Sequence, residues 1–312
     1  MVFAGVAFAQ QPIKVTLGHG AAPGNPRHEA AMRFAERVKE KTGGRYEIFV
    51  AHSAMLGDDA AMVTALRSGS LDMSANSQGP VAAVVPEYAA LGLPFLFADI
   101  EKAWTLLDGA VGKELADKTA AKGMVVLGYW DNGIRQITNS KRAIKAPADV
   151  KGLKIRTPAD PVTVDIMQAL GADAQQIKFA ELYVALQQGV VDGQENPLTN
   201  IVSSKLYEVQ KYLSLSGHKY EVTPFLMGKR AWDKLNPADQ KVFQEAAAEA
   251  TQLQRKLSKE ADEKLLVELK GKGVQIDTVD RAQFVAATKP VYDKWTTGPI
   301  GDFAKRVVEA AK

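Results

Sequence analysis

A chain of 312 residues, at roughly 150 per domain, points to about two domains. Apolar residues make up 46% and charged residues 24%, ordinary usage for a folded chain with a sizeable core, and a formal net charge of +3 lacks the excess of cations that a nucleic-acid binder uses. With no cysteine there is no disulfide framework, no thiolate nucleophile and no Cys-based zinc or iron–sulfur site.

Residues 1–9 (MVFAGVAFA) are apolar and end in Ala7-Phe8-Ala9, a small-x-small pattern of the kind a signal peptidase cuts after. They are expected to be a residual export signal, with the mature chain starting near Gln10 and working in the periplasm. No later stretch reaches the roughly 18 uninterrupted apolar residues of a membrane span. Ile13 to Leu17 reads as a strand, followed by a Gly/Pro loop from Gly18 to Pro26. Arg27 to Thr42 places Ala31, Phe34, Ala35 and Val38 at helical spacing. Tyr46 to Val50 reads as a strand, Asp58 to Ser68 as a helix capped by Gly69, and Leu71 to Ala75 as a strand. Gly123 to Tyr129 and Leu153 to Arg156 continue the alternation, which predicts an α/β protein with mostly parallel strands.

From Asn236-Pro237, a good helix start, no Gly or Pro appears until after Leu269. About 33 helical residues stretch roughly 50 Å, longer than a lobe of about 150 residues is wide. The predicted architecture is therefore two α/β lobes tied by one spanning helix, with a cleft between them. Residues 10–133 plus 222–262 are assigned to the first lobe and 134–221 plus 263–312 to the second.

The GxSxG, GxxxxGK[ST], HExxH and EF-hand signatures are missing. Gly18-His19-Gly20 follows a strand, but Pro23 and Pro26 break the spacing of a dinucleotide turn, so it reads as a cleft-lining loop. His19 and His28 lack a close third metal ligand, and no cofactor is expected. Arg156 ends an apolar-alternating strand, Arg135 follows another strand, and Asn196 brings an amide to a third loop, so these three are candidates for one site.

Six strings stand in order along the chain: LGDD (Leu56–Asp59), LPFLF (Leu93–Phe97), YWDNGIRQ (Tyr129–Gln136), GLKIR (Gly152–Arg156), ELYVALQQGVVDGQENP (Glu181–Pro197) and YEVQKYLSLSGHKY (Tyr207–Tyr220). They carry a resemblance to the solute-binding proteins of TRAP (tripartite ATP-independent periplasmic) transporters, the DctP family. It implies a two-lobe periplasmic-binding-protein-like fold and a monomeric receptor, not an enzyme, that hands an organic anion to a TRAP membrane permease. It also implies Arg156 as the carboxylate clamp, Arg135 and Asn196 as its helpers, and Phe179 in the pocket wall. The chemistry agrees, because a guanidinium offers two parallel N–H groups that match a carboxylate.

The rest of the ligand is expected to meet the first lobe at His19, Gly20, Asp58 or Asp59, and at Asn76, Ser77 and Gln78, with Trp130 available to stack. These groups are mostly neutral, and Arg27, early in a helix, is expected to face solvent. A polyhydroxylated monocarboxylate such as a hexuronate or aldonate is therefore favoured over a C4-dicarboxylate. Other readings are a sensor domain, or an isomerase or lyase using Asp58, Asp59 or Glu195 as base. Asn76-Ser77-Gln78 departs from the sialic-acid branch of the family, which carries an acidic residue there.

Overall fold

The computed structural model describes residues 11–97 and 99–312; the expected export signal at 1–9 lies outside the described residues. Nine strands form one mixed sheet: β1 (Ile13–His19), β2 (Tyr46–Ala51), β3 (Met73–Ala75), β4 (Met124–Asn139), β5 (Lys154–Thr157), β6 (Asp173–Gln176), β7 (Gly193–Pro197), β8 (Tyr212–Gly228) and β9 (Gln275–Thr278). The strand order is β2-β1-β3-β8-β4-β7-β5-β6, with β9 added on β8.

Two α/β halves share this sheet. In one, β1 runs parallel to β2 and β3; in the other, β5 runs parallel to β6 and β7. The long antiparallel pair β4 and β8 passes through both, meeting β3 at one end and β7 and β9 at the other. The expected strand at Gly123–Tyr129 is thus only the first part of β4. The β4–β8 register shifts three times, once between Asp131 and Gly133. Gly133 has φ +118, a left-handed backbone that a side chain would strain, so a glycine accommodates the register shift there.

Local chemistry explains the flanking helices. Asn25 caps Pro26–Lys41 by accepting from the Arg27 N–H, and Asp58 caps Asp59–Ser68 by accepting from the Ala61 N–H. Gly69 ends the second of these in the left-handed conformation, as predicted. The long helix is a single element, Pro237–Gly271, of 35 residues and about 52 Å. Phe243, Ala246, Ala247 and Ala250 join the core of the first half, and Leu269 that of the second. Between them, buried Gln254 accepts from the Asp131 N–H at 2.7 Å and donates to the Asp131 carbonyl at 2.7 Å. The helix is therefore pinned to β4 where the sheet changes halves.

The C-terminal segment makes contacts on both halves. The helix Arg281–Thr297 bridges the halves: Trp295 donates to Asp165 at 2.8 Å and Tyr292 donates to the Pro94 carbonyl at 2.8 Å. The last helix, Gly301–Ala310, packs against Pro86–Gly92, and Arg306 pairs with Glu114 at 2.8 Å. Its amphipathic face finds its apolar partner in the first half.

Candidate functional site

Between the halves lies a cavity of about 240 Å³. The first half supplies Gly20 from the loop after β1, Asp59 from the helix it opens, Ser77, and Arg27. The second supplies Arg156 in β5 and Pro158 just after it, Phe179, Asn196 and Asn200; Asn132, Arg135 and Glu221 come from the crossing strands. The lining thus sits at strand ends, where open α/β sheets bind ligands.

Arg156 is 3% exposed, and its Nε donates to the Ile177 carbonyl at 2.8 Å. The guanidinium lies 5.8 Å from the Phe179 ring centre. Its two terminal amino groups have no protein hydrogen-bond partner and no carboxylate within salt-bridge range among the described residues. Burial pushes its pKa down to about 10, with Glu195 pulling back, so it remains charged at neutral pH. A desolvated, unpaired cation is costly in a protein interior and is positioned to accept an anion.

Arg135 also lines the cavity, but its donors are spent. It pairs with Glu195 through Nε and at 2.8 Å through Nη2, with Glu221 through Nη1, and donates to Asn196 Oδ1 at 3.2 Å. Burial lowers its pKa, yet the two glutamates outweigh burial and leave it raised. Glu195 is the converse: burial raises its pKa, and Arg135 with His218 brings it down to about 2. A carboxylate so held is no general base. Asn196 is engaged as well, donating to Gln194 at 2.5 Å and accepting from Asn200 at 3.0 Å.

Of the residues expected on sequence to meet a ligand, Arg156, Arg135, Asn196, Phe179, Gly20, Ser77, Asp58 and Asp59 line the cavity. Four do not. Trp130 is core, stacked on Phe225 at 4.3 Å and donating to Thr251 at 3.0 Å. Gln78 is spent on the backbone, donating to the Tyr88 carbonyl at 2.8 Å. Asn76 is buried outside the lining. His19 sits behind the wall, 3.3 Å from the His28 ring nitrogen, and burial beside Arg27 takes its pKa down to about 3.

The expectation for Arg27 is overturned. It is 4% exposed and lines the cavity, donating to Asn132 and to Thr223 at 2.9 Å each. Asn132, Asn200 and Glu221 escaped the sequence reading too, although each belongs to or adjoins a matched motif. Two buried carboxylate oxygens at the cavity, Asp59 Oδ1 and Glu221 Oε1, accept from no protein donor. Burial raises the Asp59 pKa, with Arg27 and the Ser77 N–H opposing. At the rim, Asp58 of the first half pairs with Lys178 of the second at 3.0 Å. Among the described residues no group of three or more His, Asp or Glu is arranged to hold a metal ion, and no helix is long and apolar enough to cross a membrane.

The family model for bacterial extracellular solute-binding protein family 7, DctP, matches residues 17–297. The chain belongs to the DctP family. The matched family and structures are solute-binding proteins, not enzymes. This DctP-family chain is 59% identical over 280 residues to the uncharacterized protein y4mM of Sinorhizobium fredii, covering 89% of the chain and 52% of that protein. It thus spans about half the length of y4mM. It superposes on the sugar acid binding protein DctPAm of Advenella mimigardefordensis, in complex with galactonate, with TM-score 0.94 and 36% identity, covering 96% of this chain and 98% of that one. A TRAP periplasmic solute-binding protein of Sulfurospirillum deleyianum with bound succinate gives TM-score 0.91 and 35% identity, covering 96% and 99%. These matches join the α/β architecture to the two-lobe fold of TRAP binding proteins.

Proposed function

We propose that the chain is a periplasmic receptor, exported by the segment at 1–9, that captures a sugar acid between its lobes as a monomer and delivers it to a TRAP membrane permease. The observation that carries this reading is the buried guanidinium of Arg156, whose two terminal amino groups face the cavity without a protein acid. They are available as a two-pronged donor to a carboxylate, each charge-assisted bond contributing about 1.5–3 kcal/mol.

Charge supports one carboxylate. Arg135 is neutralised by Glu195 and Glu221, Lys178 pairs with Asp58, and Asp59 faces Arg27, so Arg156 is the lining cation left for one anionic group. The oxygens of Asp59 and Glu221 that accept from no protein donor favour a ligand with hydroxyl donors, of which a hexuronate or aldonate has several and succinate none. These two carboxylates take the polyol-reading role expected of Asn76 and Gln78. The cavity is smaller than the roughly 300–1,000 Å³ of drug-sized ligand sites, which suits a small metabolite. The register shifts along the β4–β8 pair, one of them at Gly133, are where bending of the crossing strands would close the lobes on the ligand and exclude water.

Arg27 favours a second reading, a C4-dicarboxylate whose distal carboxylate meets it. Calorimetry with galactonate, glucuronate and succinate decides between them. The sugar acids are expected to bind at least tenfold more tightly than succinate; tighter binding of succinate selects the second reading, and binding of none of the three overturns both.

A further inference from the structure

Gly79 lies in the short helix Gln78–Ala82 of the first half, beside the lining residues Ser77 and Pro80. Across from it runs the loop after β5, whose Pro158 and Ala159 line the opposite wall two and three residues beyond Arg156. A Cβ on Gly79 would stand 2.5 Å from Asp160 Cβ, 2.8 Å from the Ala159 carbonyl oxygen and 3.0 Å from Asp160 Cα. Carbon atoms rest about 3.5–4.0 Å apart, so a methyl group here asks for about 1 Å of separation.

Neither surface has room to yield. The helix carrying Gly79 is tied through Gln78, which donates to the Tyr88 carbonyl at 2.8 Å and accepts from the Val222 N–H at 3.4 Å. Asp160 caps Pro161–Ala169, accepting from the Val162 N–H at 3.1 Å and the Thr163 hydroxyl at 2.9 Å, and is ion-paired with fully buried Lys219. Lys219 in turn donates to Thr163 at 2.8 Å. The atoms facing Gly79 are backbone and Cβ atoms, with no flexible side-chain end among them. The remaining freedom is movement of one half relative to the other.

We infer that Gly79 is the seat on which the two halves close: a positioning residue whose missing Cβ lets Ala159–Asp160, and with them Arg156, approach the first half. The inference rests on the proposed binding of a carboxylate between the halves. Gly79 touches no ligand in this account, so a side chain there weakens every ligand that needs closure by the same factor. A residue that contacts the ligand discriminates between ligands instead.

The test is Gly79→Ala and Gly79→Val beside the wild type, with calorimetry against galactonate and succinate and solution scattering with and without galactonate. The alanine variant is expected to lose at least tenfold in affinity for each acid that the wild type binds, by the same factor within about twofold, and the valine variant more. Its ligand-free melting temperature stays at the wild-type value, because an open molecule escapes the clash. Galactonate compacts the wild type and leaves the variants at their ligand-free radius. Wild-type affinity and compaction in Gly79→Ala, or loss of one ligand alone, overturn the inference and leave the proposed function standing. A ligand-free variant that unfolds or melts far lower also overturns it, since the glycine then serves packing within one half. A wild type that binds neither acid fails the proposed function itself, and this inference with it.

Discussion

Arg135 and Arg156 stand on strands that flank the same neighbour, β7, and are equally buried, yet they have opposite roles in the charge economy of the cavity. Arg135 lies between β7 and β8, which present Glu195 and Glu221 to it, and its charge is consumed. Arg156 lies between β7 and β6, where its register partners are Gln194 and Gln175, both neutral. What leaves one arginine paired and the other unpaired is whether the neighbouring strands bring a carboxylate within reach of its donors, not its own burial. Buried carboxylates follow the same rule. Glu195, with cationic partners, is brought down to about 2 against the pull of burial, whereas Asp131 accepts only from Trp104 and Tyr220 among neutral donors, and burial leaves it raised to about 6.

The largest break in this comparison is Arg156→Ala. Losing two charge-assisted bonds of about 1.5–3 kcal/mol each lowers sugar-acid affinity by about two to four decades. The ligand-free melting temperature is expected to hold or rise, because an unpaired buried charge is removed. Unchanged calorimetric affinity would falsify the clamp. Arg135→Ala reverses the pattern. It strands Glu195 and Glu221 without a cation and is expected to destabilise the ligand-free fold by about 3–5 kcal/mol in denaturant titrations. A variant as stable as the wild type, binding a hundredfold more weakly, would make Arg135 a second clamp.

Asp131 sharpens the acid side. Its pKa is 3.8 unperturbed and about 6 in the fold, so from pH 4 to 6 the unfolded chain releases a proton that the native state keeps. Stability from this group is therefore full below pH 4 and lost as pH rises through 6. Glu195, depressed from 4.5 to about 2, has the opposite sign and is lost as pH falls below 4.5. Asp131→Asn is expected to remove the loss on the alkaline side, gaining about 3 kcal/mol on the wild type between pH 4 and pH 7. Asp262, also raised to about 6 by burial, stays in both proteins but acts on Asp131, so the difference between them reports position 131 together with its coupling to Asp262. Parallel stability curves for the two proteins would show that Asp131 does not hold its proton.

How much of this was legible in the sequence follows from how local each signal is. Arg156 could be found because its strand, its Thr-Pro exit and the GLKIR string are contiguous. Arg27 could not. It sits in the first turn of a helix, and its burial is set by Asn132 and Thr223, 105 and 196 residues away. The strand β8 was missed because Gly217 and Pro224 punctuate it as a loop would, and its order comes from pairing with β4. Trp130 and Gln78 were misplaced for the same reason: a motif match fixes their position in the chain, not which side of the sheet or helix faces the cleft. The long helix was legible from composition, because 35 residues without an interior Gly or Pro leave few alternatives.

A smaller effect probes the far end of the cavity. Asp59→Asn keeps an acceptor for the Ser77 N–H, which Asp59 takes at 3.1 Å, and removes the charge facing the ligand hydroxyls. The expected loss is about tenfold for galactonate, one charge-assisted bond, and under twofold for succinate. Equal losses for both would take Asp59 out of hydroxyl recognition.

The smallest effect belongs to the rim. Asp58 and Lys178 meet across the cleft at 3.0 Å, but the lysine side chain is 63% exposed, so water and salt screen the pair. Lys178→Ala is expected to weaken ligand binding no more than severalfold, with the difference from wild type vanishing as salt is raised to about 1 M. Asp58 keeps its capping bond to the Ala61 N–H in that variant, so the helix start is undisturbed and the measurement isolates the contact between the halves. A loss comparable to that of Arg156→Ala, persisting in high salt, would move the decisive cation from the buried strand end to the surface, and the contrast between Arg135 and Arg156 would no longer account for binding.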